Sequence, residues 1–168
     1  MNLTRQQAAI GSVVFFVVAP GVVAGVVPWL ISGWTLPQPS PLLGLPLYIG
    51  AMMILGGLWV LVDCFRSFAR NLGTPAPIAP TQRLVVDGWY RYVRNPMYVA
   101  VVAIIAGQAL VFWHWGLLVY GLGVIAAVHA FVVAYEEPAL RRAFPAAYAN
   151  YAANVPRWRP RLAPWRGA

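Results

Sequence analysis

Lysine is absent from this 168-residue chain, and acids are scarce: two aspartates and two glutamates stand against twelve arginines, for a net charge of +8. Only 10% of the residues are charged while 61% are hydrophobic, whereas a soluble domain carries roughly 25% charged residues. A water-soluble globule is therefore excluded. The single cysteine, Cys64, rules out an internal disulfide and a thiolate metal cage. No group of His, Cys or carboxylate residues has metal-ligand spacing, and neither a Gly-rich phosphate loop nor a nucleophile elbow is present. Basic segments interleaved with aromatics are missing as well, so the positive charge does not signify nucleic acid.

Charge is also missing over two long runs, residues 6–62 and 95–135. A hydrocarbon core about 30 Å thick takes about 20 helical residues to cross. Each run is about two crossings long. The first is broken by SGWTLPQPSP (32–41) and the second by WHWG (113–116). Neither shows the polar–apolar alternation of a soluble bundle. The expected fold is an all-α membrane protein. Four transmembrane helices, about 10–32, 42–65, 97–113 and 115–135, form two hairpins in a single membrane domain, with a cytosolic loop and a short C-terminal amphipathic helix. The first apolar segment, about 10–32 and so about 23 residues, exceeds the 7–15 of a secretory signal and reads as a retained helix.

The arginines occupy three places: Arg5, the 66–94 loop and the 141–166 tail. The two opposite loops have none. By the positive-inside rule the termini and central loop lie in the cytoplasm, with the arginines against anionic membrane lipids. Pro20 and Pro28 should kink the first helix unless neighbours satisfy the freed carbonyls. Gly21 and Gly25, and then Gly50, Gly56 and Gly57, offer sites of close helix approach. Asp63 and Arg66 are spaced for a local ion pair.

A double crossing returns the chain to the face it left. That geometry brings RYVRNPMY (91–98) and EEP (136–138) together at one membrane surface. Asn95 and Pro96 read as an N-cap and first helical residue. The helix end beside Arg91 and Arg94 suits a carboxylate or phosphate. Adjacent Glu136 and Glu137 repel each other where desolvation is costly. An i, i+4 pair of Glu137 with Arg141 gives a structural account of one carboxylate. A bound cation or ribose-like hydroxyls would account for both. His129, seven residues before Glu136, shares its helix face about 10 Å away; it can handle a proton or simply bond a neighbouring helix. Pro138 is the expected start of the amphipathic helix, whose Leu140, Phe144, Tyr148 and Tyr151 recur at helical spacing, laid along the membrane surface.

LVVDGWYRYVRNPMY (84–98), followed by EEPAL (136–140), Phe144, Tyr148, Tyr151 and VPR (155–157), resembles the integral-membrane methyltransferases. These include isoprenylcysteine carboxyl methyltransferase, its bacterial relatives and the phospholipid N-methyltransferases. The resemblance covers about residues 71–160. It implies S-adenosylmethionine as cofactor, in contact with Gln82, Arg83, Leu84, Val85, Tyr90, Asn95, Pro96, Met97, Tyr98 and Glu136, with Arg94 and Glu137 close by. It also implies a lipophilic acceptor and the bacterial cytoplasmic membrane as location. Asn95 stands where the isoprenylcysteine enzymes have His, and NPMY with EEP is closer to the phospholipid type. The GTPAP loop (73–77) and the tail are closer to bacterial isoprenylcysteine-type relatives. The acceptor therefore stays open between a phospholipid amine and an isoprenylcysteine-type carboxylate, and the oligomeric state is open too. A non-catalytic membrane subunit or lipid carrier of the same fold is the competing reading, with Arg91, Arg94 and the tail on headgroups. A channel would need polar groups at mid-membrane, which are lacking.

Overall fold

The computed structural model describes residues 18–70 and 84–167, with residues 41, 68 and 69 described by backbone alone. Among the described residues every regular element is helical. Five helices follow one another: α1 (Val18–Ser32), α2 (Gly44–Arg70), α3 (Pro96–Val111), α4 (Trp115–Ala143) and α5 (Pro145–Asn154). Short 3₁₀ turns occupy Pro41–Leu43 and Gly88–Arg91.

Helices α2 and α4 are long and apolar enough to cross a membrane. At 1.5 Å per residue the 27 residues of α2 reach about 40 Å. Both expose rows of large apolar side chains, among them Leu45, Met52, Leu55 and Trp59 on α2 and Leu118, Leu122 and Ile125 on α4. Patches of that size are untenable in water and natural in hydrocarbon. Helix α3, with 16 residues, and the described part of α1 are shorter than about 20.

Three helix ends differ from the sequence expectation. Helix α2 begins at Gly44 and runs past the expected end at 65 to Arg70, because no Gly or Pro stands before Gly73 to stop it. Helix α3 stops at Val111 rather than 113, where Trp113 turns the chain with φ +49°. Helix α4 does not stop at the glutamates. It continues through Pro138 to Ala143, and the next helix starts at Pro145. A π-turn, Val132–Glu136, widens α4 just ahead of Pro138, which relieves the clash of the ring with the preceding turn. Residues 10–17 of the expected first helix lie outside the described residues.

Pro28 is managed in the same way, by a π-turn at Val22–Val26. The Val27 N–H bonds the Val22 carbonyl, so the carbonyls that Pro28 leaves without a donor are those of Val23 and Ala24. Tyr120 OH donates to Val23 O at 2.9 Å and Gln108 Nε2 to Ala24 O at 2.7 Å. Gln108 also accepts from Trp34 Nε1 at 2.9 Å. The neighbours thus supply what the prolyl ring withholds.

Helices α2 and α3 make the tightest contact. A Cβ on Gly50 would stand 2.6 Å from Gly107 O, and one on Gly107 2.6 Å from Gly50 O. Gly57 is pressed on Ile104 and Ala100, whereas Gly25 and Gly56 face open space and allow no special approach. Leu61, Phe65, Ala100, Val101, Ile104 and Ile105 fill the space between. The expected Asp63–Arg66 ion pair is not formed. Tyr148 and Tyr151 of α5 turn inward with Val155, against Leu84, Val86 and Trp165. The aromatic stripe of α5 therefore packs on protein rather than on the membrane surface.

Candidate functional site

The loop before α3 is stitched to the C-terminal tail. Arg94 N donates to Pro156 O, Arg161 N to Tyr92 O and Trp165 N to Arg91 O, each at 2.9 Å. Arg91 Nε returns a bond to Trp165 O at 2.7 Å. Asn95 takes the N-cap position but makes no capping bond; its buried amide donates instead to Arg157 O at 3.2 Å. Pro96 fills the first helical position as expected. Tyr151 OH donates to the Tyr90 carbonyl at 2.7 Å. Burial pushes the phenols of Tyr90 and Tyr151 well up, so both stay protonated and Tyr151 remains a donor.

The two expected clusters meet. Arg94 NH1 lies 3.0 Å from Glu137 Oε1. Arg157 of the tail grips the same carboxylate with both prongs, Nε to Oε1 at 2.7 Å and NH2 to Oε2 at 2.9 Å. Such bidentate, charge-assisted pairs are the stronger kind. That hydrogen bond raises the pKa of Arg157 still further. The expected Glu137–Arg141 pair is not formed. Arg141 instead stands over the Tyr148 ring, 5.5 Å from its centroid. Arg157 was invisible to spacing arguments because it reaches Glu137 through tertiary return of the tail; only its place in the VPR segment hinted at it.

Glu136 is treated differently. Tyr98 OH donates to its Oε2 at 2.8 Å, and among the described residues no cation reaches it. Two adjacent carboxyl groups thus end in different surroundings: Glu137 is buried against two guanidinium groups, while Glu136 accepts from a phenol. Arg94 also donates to Tyr148 OH at 3.3 Å, and its buried Nε has no partner among the described residues.

Of the remaining expected site residues, Met97 lies half-buried beside Cys64, Val85 and Tyr90. Leu84 packs with the α5 tyrosines. Gln82 and Arg83 lie outside the described residues. His129 is exposed, and its Nδ1 accepts from Trp158 Nε1 of the tail at 3.1 Å. Its partner is the tail rather than a neighbouring helix.

Comparison with known proteins gives one family. The model described as phospholipid methyltransferase matches residues 45–147, more than half of the chain. The match spans Arg94, Tyr98 and both glutamates, and leaves out α1 together with Arg157. Among curated proteins none matches the chain.

Proposed function

The chain belongs to the phospholipid methyltransferase family, and from that premise we propose that it moves a methyl group from S-adenosylmethionine to a lipophilic acceptor within the membrane. The observation that carries this reading is the unequal pair: Glu137 is held by Arg94 and Arg157, while among the described residues Glu136 has Tyr98 and no cation. An acid at a membrane border with no described cation beside it is costly to ionise, and its presence there supports a ligand that supplies the cation. The donor set fits. S-adenosylmethionine offers an ammonium, a sulfonium and ribose hydroxyls to a carboxylate, and an anionic end to Arg94 and the start of α3.

When bound, this cofactor supplies a methyl group already activated by positive sulfur. The work left to the chain is positioning and exclusion of water. Glu136 binds the donor, Tyr98 fixes the direction of that carboxylate, and Glu137 holds Arg94 in place from behind. His129 can carry a proton only with Trp158 displaced, so we assign it no role. The four-span arrangement, with α1 and α3 as the shorter crossings and the arginine-bearing end facing the cytosol, belongs to the same reading. The carrier alternative is weakened because the structural Glu137–Arg141 pair it needs is not formed.

Calorimetry of S-adenosylmethionine binding to the purified protein and to Glu136→Gln tests the assignment. Binding by the native protein and at least about tenfold weaker binding by the variant are expected, the loss of one charged partner. Equal binding by both, or none by the native protein, refutes it. Transfer of label from methyl-labelled cofactor into a lipid extract, above an empty-membrane control, separates the enzyme from a carrier.

A further inference from the structure

A cleft of about 390 Å³ opens between α2, the 3₁₀ turn and the tail, lined by Trp59, Asp63, Trp89, Arg91 and Tyr92 with Gly88 and Pro164 at its edge. Tyr98, Glu136 and Glu137 take no part in it. Its volume falls within the about 300–1,000 Å³ of small-molecule sites. Asp63 and Arg91 line the same cavity yet form no ion pair with each other. Arg91 uses Nε on Trp165 O, which leaves its terminal nitrogens available. Gly88, at φ +52°, makes room for the acid, since a Cβ there would stand 3.0 Å from Asp63 Oδ2. Around these charges stand three aromatic rings, Trp89 and Tyr92 with centroids 5.7 Å apart and Trp59 largely exposed on the outer face of α2.

An acid and a base held apart across one cavity complement a zwitterion. Aromatic walls beside the acid favour a quaternary or primary ammonium, and the guanidinium favours phosphate. Trp59, one helical turn before Asp63, the first charged residue of α2, sets the cleft at interfacial depth. We infer that this cleft holds the headgroup of a zwitterionic phospholipid, apart from the methyl-transfer site. Asp63 and the rings face its ammonium and Arg91 its phosphate.

Phosphatidylcholine is the probe, because its nitrogen is fully substituted and its retention is independent of methyl transfer. Protein released from nanodiscs of equimolar phosphatidylcholine and phosphatidylglycerol is scored for retained lipid by native mass spectrometry. The native chain should prefer phosphatidylcholine by about tenfold, the size of one charge-assisted contact. Asp63→Asn should abolish that preference and Trp59→Leu, an exposed position, should reduce it, with S-adenosylmethionine affinity within about twofold in both. No preference in the native chain, or one unchanged in Asp63→Asn, overturns the inference. Displacement of the lipid by equal soluble glycerophosphocholine would assign the cleft to a soluble zwitterion instead. Loss of cofactor affinity in step with lipid retention would assign it to the cofactor. Either outcome overturns it, and neither bears on Glu136.

Discussion

Pro28 in α1 and Pro138 in α4 each follow a π-turn that ends two residues earlier, Val22–Val26 in the first and Val132–Glu136 in the second. The backbone device is shared and the surroundings are not. In α1 the carbonyls deprived of a donor, Val23 and Ala24, are taken by Tyr120 and Gln108. In α4 the equivalent carbonyls are those of Val133 and Ala134, and among the described residues no side chain donates to either. The second turn instead ends on Glu136, with Glu137 next. Successive helical residues point about 100° apart, so one carboxylate faces Arg94 and Arg157 while the other faces Tyr98. The first π-turn is closed by its neighbours and serves packing. The second is left without such side-chain donors among the described residues and lies beside an acid.

The contrast breaks most readily at Glu137. Its carboxylate is buried and Arg94 is nearly so. Glu137→Gln leaves two guanidinium groups facing a neutral amide and should cost about 3–5 kcal/mol of stability. Glu136→Gln removes no cation's partner and should cost under about 0.5 kcal/mol. Thermal unfolding of the two variants in one detergent measures the difference. Equal losses would mean that the acids share one structural task and that the second turn is no more functional than the first.

Gln108→Leu comes next, at the closed turn. It strands both the Ala24 carbonyl and the Trp34 indole N–H, and two unsatisfied groups in a buried setting should cost about 1–3 kcal/mol. Cofactor affinity per folded molecule should stay within about twofold, because the site lies at the other end of α3. A tenfold change in affinity would show that the two turns are coupled and erase the division between them.

The helical character, Pro28 as a trouble spot and the meeting of residues 91–98 with the glutamates were legible in the sequence. Composition reports the solvent, and charge-free run length reports the path of the chain between its two charged clusters. The partner of each acid was not legible. Arg141 stands at i+4 from Glu137 and local spacing favours it, but Arg157 arrives from twenty residues away on a tail whose register is set by backbone bonds to Tyr92 and Arg94. The continuation of α4 past Pro138 was equally hidden. Proline reads as a start signal unless the turn before it widens, and nothing in VVAYE announces that widening. Small-residue spacing misled for a related reason. Gly25 and Gly50 are both glycines of apolar helices, yet Gly50, like Gly57, meets backbone from another helix, and Gly25 meets nothing. Which face of a helix finds a partner is decided by the rest of the bundle.

The smallest effect is expected at Tyr120→Phe, and it sharpens the comparison because it removes one atom. The hydroxyl donates to Val23 O across α1 and α4 at 2.9 Å, while the ring packs against the Leu61–Ile105 core. Phenylalanine keeps the packing and withdraws only the donor. Hydrogen bonds between helices in membranes average about 0.6 kcal/mol, so a loss near that figure is expected in detergent unfolding. The widened turn in α1 persists in any case, since Pro28 rather than Tyr120 removes the N–H. A loss several times larger would mean that the side-chain donors create the π-turn. In that event the open turn in α4, which lacks such donors, would owe its shape to a different cause than Pro138 alone.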